Sequence, residues 1–255
     1  MAPMALHVRR ATADDLDAVA VLTRRNRHQL AAWEPDFWRM AEGADQLHAL
    51  WLAHLLTSSD AVARVVVDDG EVAACAICVR QPAQWFADDL ATATDERWAD
   101  AGRLLLEHIG ERPVLTCVPH RDGARATAVR DAGWAHVSDY RTLRLDRARH
   151  DGPQPAETTP PPGALPPPAH TFGPVDPTVP VPAPPVYDPG GTSCIADRVV
   201  GPDRGRLLDR MATAAVAAGA TQLIVVCAAG DDDLRDALDE RGAGHPVEVH
   251  QAPTA

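Results

Sequence analysis

Alternating and helical patterns of apolar residues follow one another along the first 145 residues of the chain. The alternation in LHVRRAT predicts a strand, and the next stretch predicts a helix that begins after the N-cap residue Thr12. Residues 34–56 form a second helical stretch, which is interrupted near Gly43. The apolar positions that define the first helix repeat at helical spacing: Leu16, Val19, Ala20 and Leu22.

Strand-like runs and helices alternate after residue 60. Two β-rich runs flank the tripeptide DDG at residues 68–70, which is typical of a hairpin. The next elements are strand WFADDLAT, a helix over residues 95–109, strand PVLTCVP, helix RDGARATAVRDAG and strand WAHVSDYRTLRL. This order, β-α-α-β-β-β-α-β-α-β, predicts an α/β fold with a mixed central sheet flanked by helices.

The composition changes sharply after Arg149. Residues 151–185 hold most of the 23 prolines, which predicts a semi-rigid, extended linker. The prolines also offer docking segments of the PxxP type, although basic flanks are missing. We therefore predict a domain over residues 1–150, a linker over residues 151–185 and a smaller α/β unit over residues 186–255.

The C-terminal unit has the element order of the second half of the first domain. It reads as strand TSCIADRVV, helix GPDRGRLLDRMATAAVAAGA, strand TQLIVVCAA, helix DDDLRDALDERGAG and strand HPVEVHQA. A gapless alignment shifted by 109 residues places Gly110 on Gly219 and Gly133 on Gly242. The agreement of order and glycine positions predicts an internal half-repeat of the fold.

Charge and composition exclude several classes of partner. The formal net charge of −12 at pH 7 argues against nucleic acid or an anionic membrane as the main partner. No run is long enough to span a membrane, and MAPMALHVRR lacks the apolar core of a signal peptide. The chain has no lysine, which excludes a lysine nucleophile.

The five cysteines predict no disulfide framework and no metal site. Cys75 and Cys78 form a CxxC motif, which occurs in redox and zinc sites. They lie in a strand-like run, however, where residues three apart point to opposite faces. Two half-buried strand cysteines are the simpler interpretation, and we expect a cytoplasmic protein with reduced thiols.

This order of elements resembles the GNAT superfamily of N-acetyltransferases. The resemblance covers residues 6–146 and, as a half-repeat, residues 186–250. It is carried by FADDLATATDERWADAGRLLLEHI, which is similar to the fourth strand, cofactor loop and following helix of that family, and by RDGARATAVRDAGWAHVSDYRTLRL, which is similar to its last helix and strands. The resemblance implies an acyl-CoA N-acyltransferase-like fold whose fourth and fifth strands separate.

The resemblance implies that acetyl-CoA is the co-substrate. The family's loop pattern, Arg or Gln, two residues, Gly, one residue, then Gly or Ala, directs backbone N–H groups at the pyrophosphate. Asp100 replaces the first glycine of that pattern, and in the second copy Arg206, Asp209 and Met211 fall at the three positions, so no cofactor is expected there. The resemblance implies these cofactor contacts: Leu90, Thr92, Arg97, Trp98 and Gly102.

The sequence identifies the catalytic groups less specifically than the cofactor contacts. The family's proton-donating tyrosine falls at Val129, and in the second copy at Leu238, neither of which can donate a proton. Tyr140, Cys117 and His120 are possible substitutes, and His120 has the most suitable unperturbed pKa, although a loop histidine that caps or is solvated is the simpler interpretation. Asp88 and Asp89 are the candidates for a general base and lie on opposite faces of their strand.

Two functions from different classes remain open at this point. The first is an acetyl-CoA-dependent N-acetyltransferase that acts on a small-molecule or peptide amine by direct acyl transfer. The second is a catalytically inactive GNAT-like binding or scaffold protein, which Asp100 and Val129 favour. The tryptophans Trp33, Trp38 and Trp51 either line a substrate pocket or anchor the core. We also expect that the chain can form a homodimer.

Overall fold

The computed structural model describes residues 6–81, 84–109, 113–145, 186–188, 191–197 and 199–253. The chain divides into two compact units. Unit 1 comprises Met1–Trp33, Gly43–Val137 and Val247–Ala255, and unit 2 comprises Glu34–Glu42 and Ser138–Pro246. The proline-rich segment 151–185 lies outside the described residues, so the predicted linker and domain boundaries stay a prediction.

The secondary structure follows the sequence patterns closely. In chain order the strands are β1 (His7–Arg10), β2 (Ala61–Asp68), β3 (Glu71–Arg80), β4 (Trp85–Thr92), β5 (Val114–Pro119), β6 (Ala135–Arg144), β7 (Thr192–Ala196), β8 (Ala220–Ala228) and β9 (Val247–Gln251). The α-helices are α1 (Leu16–Trp33), α2 (Pro35–Trp38), α3 (Ala44–Thr57), α4 (Ala101–Ile109), α5 (Gly123–Asp131), α6 (Arg204–Ala217) and α7 (Asp232–Asp239). One prediction is wrong in detail, since residues 95–109 form a short 3-10 helix, Asp95–Trp98, and then α4.

Local chemistry explains where the elements of unit 1 begin and turn. Thr12 and Asp15 form a capping box ahead of α1, as the N-cap pattern predicts. Asp69 and Gly70 both have positive φ, 48° and 87°, which closes the predicted hairpin between β2 and β3 with a tight turn.

The sheet of unit 1 has the strand order β1-β2-β3-β4-β5-β9. The pairs from β1 to β4 are antiparallel, β4 and β5 are parallel, and β9 runs antiparallel to β5. Helices α1 and α3 pack on one face, and α4 and α5 cover the other with a core that includes Leu105, Leu106 and Trp134. The predicted mixed α/β sheet flanked by helices is confirmed.

Unit 2 contains most of β6, all of β7 and β8, and its own core. Strand β8 pairs with β6 in antiparallel and with β7 in parallel orientation, and α6 and α7 pack together beside it. The core includes Leu208, Leu223 and Leu238. The order β7-α6-β8-α7 is the predicted one, and Gly133 and Gly242 have matching positive φ values of 77° and 68° after α5 and α7. The internal repeat itself stays a prediction.

The last strand of the chain belongs to unit 1, although its sequence follows the helices of unit 2. β9 pairs with β5 along its whole length, from Leu115 opposite Gln251 to Pro119 opposite Val247. In unit 2, residues Ser138–Arg144 of β6 pair with β8. Each unit therefore contains a strand from the other part of the sequence, which the sequence analysis did not anticipate.

Candidate functional site

Strands β4 and β5 pair only at their beginnings. Three residue pairs join them, the last being Ala87 with Thr116, and the remainder of β4 has no partner on β5. On its other side β4 carries a β-bulge, because Ile77 pairs with Asp89 and Cys78 pairs with Ala87, which leaves Asp88 as the extra residue. A bulge bends its strand and increases its twist, which accounts for the separation. The separation leaves a groove between the carboxyl ends of two parallel strands, a common place for ligands.

Asp88 and Cys117 mark the inner end of this groove. They directly follow Ala87 and Thr116, the last paired residues of β4 and β5. Burial raises the pKa of the Cys117 thiol to about 12, and the negative charge of Asp88 contributes to the increase. Asp88 is exposed, so its carboxylate is accessible to solvent. The thiol is therefore protonated at neutral pH beside an accessible carboxylate.

Asp89 faces the other side of β4, where it joins a buried polar network. Its Oδ2 lies 2.9 Å from Nε2 of His48, and Nδ1 of His48 contacts Nη1 of Arg27. A guanidinium can only donate, so Nδ1 of His48 accepts from Arg27 and Nε2 donates to Asp89. All three side chains are buried. Burial alone would raise the pKa of Asp89, but His48, Arg27 and Arg125 outweigh it and hold the pKa below its ordinary value.

The carboxylate of Asp100 lies at the N-terminus of α4. Oδ1 of Asp100 accepts a short hydrogen bond from the backbone N–H of Ala101, the first residue of the helix. Arg97 binds two carboxylates, with 2.8 Å from Nη2 to Asp68 and 3.2 Å from Nη1 to Asp100. The carboxylate of Asp100 therefore occupies the kind of position that a phosphate takes at a helix N-terminus.

Trp98 fills the space beneath the loop. Its indole is buried and lies against Gly102, where an added β-carbon would come within 2.4 Å of Cε3. The 3-10 helix uses some of its own amides, since the N–H of Arg97 donates to Thr94 and that of Ala99 donates to Glu96. The indole leaves no room for a side chain at position 102. The packing of Trp98 therefore requires Gly102, whether or not a ligand binds at the loop.

A small polar cleft opens at the carboxyl end of β4, beside the N-terminus of α5. Its walls come from α1, from the loop after β4 and from α5: Arg25, Asn26, Gln29, Thr92, Asp95, Trp98, Asp122 and Arg125. Arg125 is buried, with its guanidinium 5.0 Å from the centre of the Trp98 ring and bonded through Nη2 to Asn26. Asp122 caps α5 by accepting the N–H of Arg125. The cleft is therefore polar and is lined by both positively and negatively charged side chains.

The other predicted site residues are spread more widely. Leu90 is buried in the core against the helices α4 and α5, and Thr92 donates its hydroxyl to the carbonyl of Thr94, 2.8 Å away. His120 is exposed just after β5. Tyr140 belongs to unit 2, where it stacks on Phe37 with ring centres 6.2 Å apart. Among the predicted site residues, the structure brings Thr92 and Trp98 together at the cleft and places Gly102 against Trp98.

Three charged or polar residues of these networks escaped the sequence analysis. Arg27 lies on the same face of α1 as Val19, Thr23 and Leu30, and His48 lies on the buried face of α3. A polar residue at an apolar helical position was the signal that could have identified both. Arg125 has a weaker signal, its place three residues after the N-cap Asp122.

Val129 and Leu238, which take the place of the family's tyrosine, are both fully buried. They pack in the cores of unit 1 and unit 2 respectively. Trp38 is buried in unit 2, where it packs edge-on against Phe37, whereas Trp33 and Trp51 are half-buried in unit 1. No group of His, Cys, Asp or Glu side chains that could hold a metal ion occurs among the described residues.

Comparison with known proteins finds likeness at the level of structure. No protein-family profile matches the sequence, and no curated protein matches it. A GCN5-related N-acetyltransferase from Sphaerobacter thermophilus is 14% identical with a TM-score of 0.41, and the match covers 98% of this chain and 97% of that one. The ribosomal-protein-S18-alanine N-acetyltransferase of Escherichia coli is 15% identical with a TM-score of 0.39, over 55% of this chain and 83% of that one.

A third structure is paia N-acetyltransferase from Thermoplasma acidophilum in complex with coenzyme A. It is 11% identical with a TM-score of 0.39, over 52% of this chain and 91% of that one. At such identities and scores these likenesses say nothing about activity. The separation of β4 from β5 is the feature that the sequence resemblance implies. The fold is GNAT-like.

Among the helices that the structure describes, none combines the length and apolar character needed to cross a bilayer.

Proposed function

We propose that unit 1 is an N-acyltransferase that takes its acyl group from acyl-CoA, with acetyl-CoA as the expected donor. The observation that carries the proposal is the separation of β4 from β5 after Ala87 and Thr116. Two parallel strands that part in mid-course leave backbone N–H and C=O groups unpaired on both edges of the groove. An amide-containing pantetheine arm can bind such edges as an additional strand would.

The N-terminus of α4 fits the phosphates only if Asp100 moves. Its carboxylate already bonds the N–H of Ala101, and a pyrophosphate a few ångströms away would repel it by about 1 kcal/mol or more. The side chain of Asp100 is 47% exposed, so it can turn into solvent at small cost. Arg97 would then exchange one of its two carboxylate partners for a phosphate and keep Asp68.

Asp88 is the best placed general base among the predicted candidates. It is accessible and lies at the inner end of the groove, where the thioester would present an activated carbonyl carbon. Its carboxylate would take a proton from the attacking amine. The raised pKa of the Cys117 thiol makes that group a weak acid, so the leaving thiolate would take its proton from solvent. Asp89 would act indirectly, by fixing the strand through His48.

His120 and Tyr140 stay candidates with weaker support. His120 follows β5 and is exposed, so it could exchange protons with solvent near the acceptor. Tyr140 belongs to unit 2, and its ring is engaged with Phe37. The acceptor is proposed to be a small-molecule or peptide amine, because neither charge nor composition favours a nucleic acid.

A second candidate function is a binding protein that retains the fold without catalysis. The observation that favours it is the hydrogen bond from Ala101 to Asp100, which places a negative charge at the helix N-terminus where a phosphate would bind. In this alternative the groove between β4 and β5 would be retained as part of the fold, without a role in catalysis. The two candidates differ in a simple respect, namely whether thioester is consumed.

The proposal is tested by incubating the full chain with acetyl-CoA and a set of primary amines and measuring the release of free CoA thiol. We expect amine-dependent release, reduced about 100-fold in Asp88→Asn because general base catalysis contributes on that scale. Glu107→Gln on the exposed side of α4 is the charge-matched control and should retain the rate. Absence of release with every amine, in a folded protein, would favour the non-catalytic candidate.

A further inference from the structure

Strand β5 has different neighbours along its length. Its first three residues, Val114, Leu115 and Thr116, pair with β4. Beyond that point β9 is the only one of the described strands that pairs with it, over residues 117–119. The part of β5 that borders the groove is therefore held in the sheet by β9.

The hydrogen bonds between β5 and β9 show which backbone groups of β5 face the groove. The N–H of Ala252 donates to the carbonyl of Val114, 2.9 Å away, which makes this a hydrogen-bonded pair of the antiparallel ladder. Such pairs alternate along the strands, so Val118 is bonded to Glu248 on β9. Cys117, one residue earlier, directs its N–H and C=O to the opposite edge of β5, toward β4.

The contact at the start of β4 agrees with this direction. The N–H of Trp85 on β4 donates to the carbonyl of Pro113, so alternate residues from Pro113 onward direct their backbone groups toward β4. No residue of β4 pairs with Cys117, which leaves its N–H and C=O without a partner on that strand. Pro119 offers only a carbonyl there, because proline has no N–H. Within residues 117–119, Cys117 is thus the residue that can both donate to and accept from a ligand amide.

Val249 on β9 lies directly opposite Cys117. The two residues form a non-hydrogen-bonded pair of the ladder, the type in which the side chains approach most closely. Val249 is only 1% exposed, so its side chain is packed on all sides. Its truncation would leave a cavity next to Cys117, and no pairing with β4 would keep this part of β5 from shifting.

We propose that Val249 is a positioning residue for the acyl donor, because it holds Cys117 where the backbone of that residue can bond an amide of the pantetheine arm. This inference rests on the proposed function, since it concerns the same groove. Val249 acts through β5, from the edge of that strand that faces away from β4. The donor site of unit 1 thus depends on a strand that follows the residues of unit 2 in the sequence.

The test compares the unmodified chain with the full-length variants Val249→Ala and Val65→Ala. Val65 lies on β2, which does not pair with β4 or β5, and is as deeply buried as Val249, so the control removes the same two methyl groups. Amine-dependent release of CoA thiol gives kcat and the KM for acetyl-CoA. In Val249→Ala the KM should rise about 10-fold while kcat stays within about twofold, because a misplaced strand weakens donor binding and leaves Asp88 in place. Val65→Ala should retain both constants.

Hydrogen exchange of single amides, measured by NMR in the unmodified chain, tests the same geometry without a variant. The amide of Val118 should be protected without ligand, since it is bonded to β9. The amide of Cys117 should become protected only when acetyl-CoA is added. If Val249→Ala fails to fold, this measurement decides between the outcomes.

The outcomes separate this inference from the proposed function. A raised KM in Val249→Ala alone, with a Cys117 amide that acetyl-CoA protects, supports the positioning role. An unchanged KM in Val249→Ala, an equal rise in both variants, or a Cys117 amide that acetyl-CoA does not protect overturns that role and leaves the proposed function intact. Absence of CoA release by the unmodified chain with every amine overturns both proposals.

Discussion

A β-carbon added to Gly102 would lie 2.4 Å from Cε3 of Trp98, far inside contact distance. From sequence, Gly102 suggested close approach of a phosphate to the backbone. In the structure, the requirement for a glycine comes from the chain itself, because the Trp98 indole is buried against the first turn of α4. The two explanations are compatible, but only the packing of Trp98 is independent of any ligand.

Gly102→Ala should therefore lower the free energy of unfolding by about 1–3 kcal/mol, the usual cost of overpacking a core. Urea denaturation measures it. Gly123→Ala, at the first position of α5, is the control, since an added β-carbon there meets no atom within 4 Å. Equal stability of Gly102→Ala and the parent chain would mean that Trp98 is free to move away.

The network of Asp89, His48 and Arg27 predicts a large and selective stability effect. Asp89→Asn should cost about 3 kcal/mol, because it removes one member of a buried charged network and leaves Arg27 less compensated. Asp88→Asn changes the same residue type at the adjacent exposed position and should cost under about 1 kcal/mol. Thermal or urea unfolding of both variants gives the comparison. Similar losses of unfolding free energy in the two variants would contradict a stabilising role of the network.

Stability at acidic pH should depend on Asp15. Bonds from Arg9 and Thr12 hold the pKa of this carboxyl at about 2, against an ordinary value of 3.8. A depressed pKa contributes stability that is present above about pH 4 and is lost as the pH falls toward 2. Because Arg9 is partly exposed, the contribution is about 1–2 kcal/mol. In Asp15→Asn, the free energy of unfolding should depend less steeply on pH between pH 4 and about 2. The same pH dependence in the variant and the parent chain would contradict this assignment.

The sequence predicted the elements well because they depend on local patterns. The N-cap at Thr12, the DDG turn and the apolar periodicities are all short-range signals, and each marks a real boundary. The helix over residues 95–109 was predicted four turns long without its break, because the 3-10 segment Asp95–Trp98 has no distinct sequence signal. The placement of β9 beside β5 could not be predicted, since strand pairing over such a separation depends on the tertiary fold.

The site was predictable in outline and not in its contacts. Asp100 was identified as the unusual residue of the loop, and the structure places its carboxylate on the helix N-terminus. The burial of Arg125 was missed because a charged residue early in a helix is ordinarily solvated. Long-range partners such as Asn26 supply the energy for such burial, and they leave no pattern in the local sequence.

Titration of acetyl-CoA into the full chain and into Asp100→Asn tests most directly whether the donor binds at the groove and the N-terminus of α4. Removing the Asp100 charge should tighten binding about fivefold or more, because a repulsion of about 1 kcal/mol is relieved. Glu107→Gln, an equal change of charge on the outer side of the same helix, should bind like the parent chain. Absence of binding in all three proteins, or equal or weaker binding by Asp100→Asn, would contradict the account.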